Sequence, residues 1–440
     1  MNDINIMIHD PSYREAAPVA EPIKLSSRER DILRKLGENI AEISTHPSNR
    51  KKPLLWQDLN DLKSQRPMVW INEIPWHEMN VDNELTLGCE GVWARSLEDS
   101  MRKTIYQWTH MRGDMIVNPW FECEKVIHST DFGILEDTDI ATTDTDNDIV
   151  SRHFNIQISE PEDIAKINIP VITHNEMATE YSFQAMKDLF IEMMPVKLVG
   201  QSHIWFTPWD YLIRWWGIQE AMLDLILRPE MVHQGVERMV EAWMKELDQF
   251  EAQNLLELDS NNTRIGSGGY GYTSELPGND FDPNHVKPHN MWGCSNAQIF
   301  SEVSPDMHWD FAIEHDLKWL ERWGLTYYGC CEPLAGKMKQ LRRIPNLRKI
   351  SCSPWNNTKK AIAEIRDEYV ISRKPNPAVF AYDTWDPGDA RKQIRDFLDE
   401  TEGACHVELI MKDISTVAYK PQRLWEWADI AMEEAERIVS

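Results

Sequence analysis

The stretch Leu325 to Leu334, LTYYGCCEPL, ends an apolar run with Cys330, Cys331 and Glu332, and SCS ends another with Cys352. Close to the end of the chain, CHVELIMKD carries Glu408 and Asp413. Thiolates are soft donors that hold zinc well, and one or two carboxylates complete a tetrahedral shell with an exchangeable position. Cys330, Cys352, Glu408 and Asp413 are therefore a candidate metal set. The same cysteines have a plainer reading as small buried residues filling a core. A lone cysteine nucleophile is a third, although no Cys/His arrangement is legible to activate it.

Seven cysteines, an odd number in a chain of 440 residues with no leader-like n-region and h-region, argue for a reducing, cytoplasmic compartment over a disulfide scaffold. The formal charge of −26, from 46 basic against 72 acidic residues with no basic block, argues against a nucleic-acid partner. No run approaches the roughly 18 apolar residues that a membrane span needs. Nineteen tryptophans stand out. Most belong to packing, but a cluster lining a cavity would suit a flat aromatic partner.

Such side chains need elements to position them. Residues 1–24 read as an extended arm, and SSRERDILRKLGENIAEI (26–43) as a Ser-capped helix followed by a Lys/Asn/Pro-rich linker ending near residue 53. This makes residues 1–54 an appendage suited to packing or to an oligomer contact such as a homodimer. From residue 55, strand and helix patterns alternate. The strands are RPMVWINE (66–73), DMIVNPWFE (114–122), VKLVG (196–200), LLELD (255–259), LTYYGCC, LRKISCS, AVFAYD and CHVELIMKD, with amphipathic helices between most of them. Repeated units of this kind predict an α/β fold with a parallel sheet. The economical closed form is a TIM (β/α)8 barrel over 55–440, and the open doubly wound sheet is the alternative.

Three motifs are set aside. Gly266, Gly268 and Gly271 match G-x-G-x-x-G but open no helix, so GSGGYG reads as a loop over the barrel mouth. DTDND (144–148), in an acidic stretch that reads as a solvated loop, has Ile149 where a calcium loop needs glycine. His77 and Glu78 begin an H-E-x-x-H that Val81 fails to close.

The run LRPEMVHQGVERMVEAWMKELDQFEAQNLLELDSN and the run SEVSPDMHWDFAIEHDLKWLERWGLTYYGCCEPL together resemble the uroporphyrinogen decarboxylase superfamily, and within it the corrinoid-dependent methyltransferase branch. The shared pattern is an Arg-Pro-Glu segment opening a helix, a strand ending in Asp, Ser-Pro before a later helix, and a strand ending in His-x-Cys-Gly. The resemblance covers roughly residues 55–440. It implies a TIM barrel with its site at the strand ends, a zinc ion that activates the methyl donor or acceptor, and a cobalamin protein docking at the mouth. The His-x-Cys pattern falls on Tyr328 and Cys330, so the cysteine carries over and the histidine does not. Cys352 is a candidate from position alone, and Glu408 or Asp413 stands where the closing strand carries a cysteine in the family. The decarboxylase branch fits less well, because its R-Q-A-G-R-Y first strand is replaced by RPMVWINEIPW, with Arg66 kept and Glu73 present.

The resemblance thus implies a zinc-dependent methyltransferase moving a methyl group to the cob(I)alamin of a separate corrinoid protein, since no Asp-x-His-x-x-Gly segment is present here. Trp205, Phe206 and Trp209 in SHIWFTPWDYLIRWW, with Trp292 and Trp355, are candidates to line a cavity for a phenyl methyl ether. Tyr328, Glu332, Asp259 and His203 are the candidate general acids. Two other classes stay open: a metal-free decarboxylase or lyase on the same barrel, and a non-enzymatic tetrapyrrole-binding protein.

Overall fold

The structure, a computed structural model, describes residues 20–141 and 151–438; the DTDND stretch, and the extended arm as far as residue 19, lie outside the described residues. In chain order the main elements are helix α1 (Ser27–Ser44), helix α2 (Ser48–Asn60), strand β1 (Met68–Ile71), helix α3 (Val92–His110), strands β2 (Phe121–Glu124) and β3 (Val196–Val199), and helix α4 (Pro229–Ala252). There follow β4 (Trp292–Ser295), α5 (Glu314–Leu320), β5 (Leu325–Tyr328), β6 (Leu347–Cys352), α6 (Thr358–Ile365), β7 (Val370–Arg373), α7 (Pro387–Glu400), β8 (His406–Met411) and α8 (Gln422–Arg437). Among the described residues no helix is long and apolar enough to cross a membrane.

The expected α/β class with a parallel sheet is observed. Six strands form one parallel sheet in the order β1-β8-β7-β6-β5-β4, and β2 and β3 form a separate parallel pair. The hydrogen bonds do not run as one continuous eight-stranded ring. The pair is tied in by single contacts: Asp114 N–H donates to the Val69 carbonyl at 2.7 Å, and Gln201 bridges Leu256. LLELD thus contributes one bridge instead of a strand.

α1 begins where the sequence places it. Ser26 caps the helix and forms a capping box with Glu29, and Leu33, Leu36 and Ile40 are buried on one face. The Lys/Asn/Pro-rich stretch after it is helix, not linker, and it runs through residue 54 with Pro53 inside. Its docking outweighs the hydrogen bond that the proline loses. Trp56 Nε1 donates to the Asp114 carbonyl at 3.0 Å, and Lys52 Nζ to the Gly113 carbonyl at 2.6 Å. AVFAYD is also corrected: Asn376 caps a short 3-10 turn over Pro377–Phe380, and the strand is β7, a few residues earlier, whose Val370 and Ile371 suit a buried pleat.

Alternation along the strands decides which side chains meet. Val69, Ile71, Tyr328, Ile350, Cys352, Ile371, Leu409 and Met411 point outward into the helical layer. Met68, Trp70, Val370 and Ile410, with Trp292, Leu325 and Tyr327, point to the opposite, inner face. That inner face also carries Lys349 and Glu408, both fully buried and 3.0 Å apart.

The glycine-rich segment is not a loop over the mouth. It folds as a buried hairpin, with Arg264 bridged to Tyr270, against the inner face. Tyr270 packs against Trp56 and Trp70, Trp292 Nε1 donates to the Gly271 carbonyl at 2.9 Å, and Gly269 N–H donates to Glu408 at 3.1 Å. Glycine is required there: a Cβ on Gly268 would lie 2.4 Å from Glu408 Oε1 and 2.7 Å from Tyr327 Cε2. Gly268→Ala should cost about 1–3 kcal/mol of stability by overpacking. Urea unfolding against Gly278→Ala, where only the Asp280 side chain is near, checks this.

Candidate functional site

The C-terminal ends of β1, β5 and β8 bring together Glu73, Cys330, Cys331, Lys412 and Asp413, and the hairpin adds Arg264. Lys412 Nζ lies 2.6 Å from Asp413 Oδ2, 3.3 Å from Glu73 Oε2 and 3.7 Å from Cys330 Sγ. Cys330 Sγ and Cys331 Sγ are 3.7 Å apart, and Cys331 Sγ is 3.6 Å from Asp413 Oδ2. Arg264 closes the cluster on Glu73 at 2.7 Å.

The electrostatics follow from these contacts. A hydrogen bond from Cys331 lowers the Cys330 thiol, burial opposes this, and the Lys412 charge lowers it further. Cys331, the donor, is raised by the same bond and by burial. Burial works against the charge on Lys412, yet Cys330, Glu73 and Asp413 together raise it well above the usual ammonium range. Burial likewise opposes the charge on Glu73, and Arg264 and Lys412 overcome it, holding the carboxyl low. The result is a thiol held below its ordinary range beside a locked ammonium, with Cys331 and Asp413 partly open to solvent.

The predicted metal set does not assemble. Cys352 points outward into the helical layer with Arg373 Nη1 3.9 Å from its sulfur, because the alternation that turns Lys349 inward turns Cys352 away. Glu408 faces inward but is committed to Lys349 and to Gly269 N–H. Cys330 and Asp413 are neighbours across Lys412, whose ammonium takes the place between them. Among the described residues no group of three or more His, Cys, Asp or Glu side chains is arranged to hold a metal ion. The residues present therefore do not fit the zinc that the family resemblance implies.

The predicted general acids separate in the same way. Tyr328 is on the outer face, its hydroxyl hydrogen-bonded to His308 Nε2 at 2.7 Å, so the position of the family histidine is turned away from the cluster. Glu332 accepts from Cys330 N–H at 2.9 Å and Ala297 N–H at 3.0 Å; it shapes the cysteine turn. Asp259 accepts from Trp292 N–H and anchors β4. His203 accepts from Gly266 N–H at 3.0 Å and holds the hairpin; burial, helped by Arg264, lowers it to about 3, so it is neutral.

Of the aromatic candidates, Phe206 stacks on Trp319 and Trp209 donates to the Phe311 carbonyl, both within the helical layer. Trp355 is 70% exposed. Trp292 lies on the inner face with its indole committed to the Gly271 carbonyl, and Trp205 packs against the same cluster.

Sequence reasoning missed Glu73, Arg264, Lys412 and Lys374. The signal for Lys412 was present: it continues the alternation Glu408, Ile410 to the end of β8. Arg264 carried no signal, because its hairpin reads locally as loop.

No family model matches the chain, and no curated protein does. Solved structures do. One of them, a methyltransferase from Methanosarcina mazei, is 11% identical, with 68% of this chain and 76% of that chain covered at a TM-score of 0.39.

Proposed function

We propose that the chain is a methyltransferase of the uroporphyrinogen decarboxylase type, built as a barrel, that moves a methyl group from a methoxylated aromatic to the cob(I)alamin of a separate corrinoid protein. Two things support the reading: the order of units in the sequence, and the position of Cys330 at the end of β5, beside a locked cation. The second observation carries it. In demethylation of an ether the C–O bond breaks and its electron pair stays on oxygen. A fixed donor aimed at that oxygen stabilises the developing phenolate.

Lys412 is this chain's donor for that task. It holds its proton firmly, so it hydrogen-bonds the leaving oxygen without surrendering charge, and the phenolate takes its proton from water on release. Cys330, Glu73 and Asp413 keep the ammonium charged and oriented. The partner's cobalamin would supply the electron pair that accepts the methyl group. No step is assigned to zinc.

The test is spectrophotometric: formation of methylcobalamin from cob(I)alamin and 4-methoxybenzoate or methoxybenzene. Turnover should survive chelators, and Cys330→Ala should reduce it about tenfold, the worth of one charge contact near the cation. Restoration of chelated enzyme by zinc would return a metal to the site. Absence of methyl transfer from any methoxylated aromatic would remove the reading.

A decarboxylase or lyase is the second reading. It is favoured by Arg264, Lys374 and Lys412 as basic side chains of one region, which suit a carboxylate, and it predicts carbon dioxide release without cobalamin.

A further inference from the structure

Three lysines lie on the inner face, and two have a carboxylate: Lys349 has Glu408, and Lys412 has Asp413 and Glu73. Lys374, at the end of β7, has none among the described residues. Its Nζ reaches the Tyr327 hydroxyl, the Ser372 carbonyl at 3.0 Å and Ser372 Oγ at 2.7 Å, all neutral oxygens, and the residue is 3% exposed. An enclosed ammonium without counter-charge is costly, and proteins keep such groups paired or use them.

A second group sits beside it. Lys374 N–H donates to the Cys352 carbonyl, which continues the β6–β7 ladder one step past Cys352 and Arg373 and sets Ser353 next to Lys374. Ser353 Oγ is fully buried and has no hydrogen-bond partner. A hydroxyl donor and an uncompensated ammonium, adjacent at the strand ends near Cys330, make an incomplete polar site that one acceptor of negative charge would complete.

We propose that Lys374 and Ser353 bind the anionic group, a carboxylate, of the substrate whose methyl group is transferred. This rests on the methyl-ether reading and adds to it that the aromatic donor is an acid. The surrounding charges agree. Glu408 is engaged by Lys349, and Cys330 and Lys412 neighbour each other, so neither acidic group is in contact with Lys374. Burial lowers Lys374 to about 7, against the pull of Glu408 and Cys330 and with the help of Lys412. An arriving carboxylate would restore the ammonium.

The experiment is calorimetric titration of 4-methoxybenzoate, benzoate and methoxybenzene into the wild type, Lys374→Met and Ser353→Ala, with a thermal melt of each free protein. Both carboxylates should bind the wild type, and methoxybenzene about tenfold more weakly or worse. Lys374→Met should weaken the carboxylates about 10- to 100-fold and leave methoxybenzene unchanged. The melts show whether each variant is folded, so that lost binding is read only from folded protein. Ser353→Ala, which changes little volume, should weaken the carboxylates about tenfold even if the lysine variant does not fold. Equal binding of acid and neutral ligand, carboxylate binding unaffected in either variant, or no carboxylate binding at all would overturn the proposal. Benzoate binding as tightly as 4-methoxybenzoate, with both lost in Lys374→Met, would keep the anion site and count against the methyl ether.

Discussion

Lys412→Met should lower the rate of methyl transfer about 10²- to 10³-fold, the loss typical of removing one preorganised donor from a developing oxyanion. The fold should survive: Glu73 keeps Arg264 at 2.7 Å, Asp413 is half-exposed, and the Cys330 thiol keeps its proton once the ammonium is gone. Lys412→Arg keeps the charge but replaces a point donor with a planar fork, and should recover part of the rate. Single-turnover measurement of methylcobalamin formation separates this from loss of binding, with KM expected to change little. A rate within threefold of the wild type would show that Lys412 only neutralises Glu73 and Asp413.

Lys349→Met should cost about 3–5 kcal/mol of folding free energy, the usual consequence of stranding one member of a fully buried ion pair. Glu408 would be left with Gly269 N–H as its remaining donor. Lys349 also donates to the Tyr270 carbonyl at 3.2 Å, so the hairpin loses a second anchor. Replacing both partners, Lys349→Met with Glu408→Leu, should recover most of the loss, since two apolar side chains desolvate nothing charged. Urea denaturation of the two singles and the double completes the cycle. A single-variant cost below about 1 kcal/mol would mean that water reaches the pair, as at a surface ion pair.

Most repeating units were legible in the sequence because their signals are local. A Ser cap with Glu three residues on starts α1, and long amphipathic periods predict α4 and α8. The errors lie where tertiary contact overrides local preference. A proline-bearing stretch became α2 because Trp56 and Lys52 had carbonyls to reach. Cys352 shows a finer limit. The alternation in LRKISC is readable, and its phase decides the thiol's place: Lys349 and Ser351 share the polar inner face, and Ile350 and Cys352 share the outer one. Applied to β5, the same alternation turns Tyr328 outward with Ser295 of β4 and Ile350 of β6. The cluster of Cys330, Lys412, Glu73 and Arg264 draws on four segments, of which only the cysteine turn advertised chemistry.

The buried hairpin has a kinetic consequence. Gly269 meets Glu408 across 139 residues, Arg264 meets Glu73 across 191, and Asn60 meets Tyr270 across 210. Contacts that distant in sequence are slow to form, because loop closure must come before they stabilise anything. The sheet interior is therefore completed only when segments from the beginning, middle and end of the chain have met. Arg264 can reach Glu73 only once those segments have met, so the cluster at the strand ends depends on the docking of the hairpin. The hairpin ties assembly of the candidate site to the slow, long-range contacts of folding.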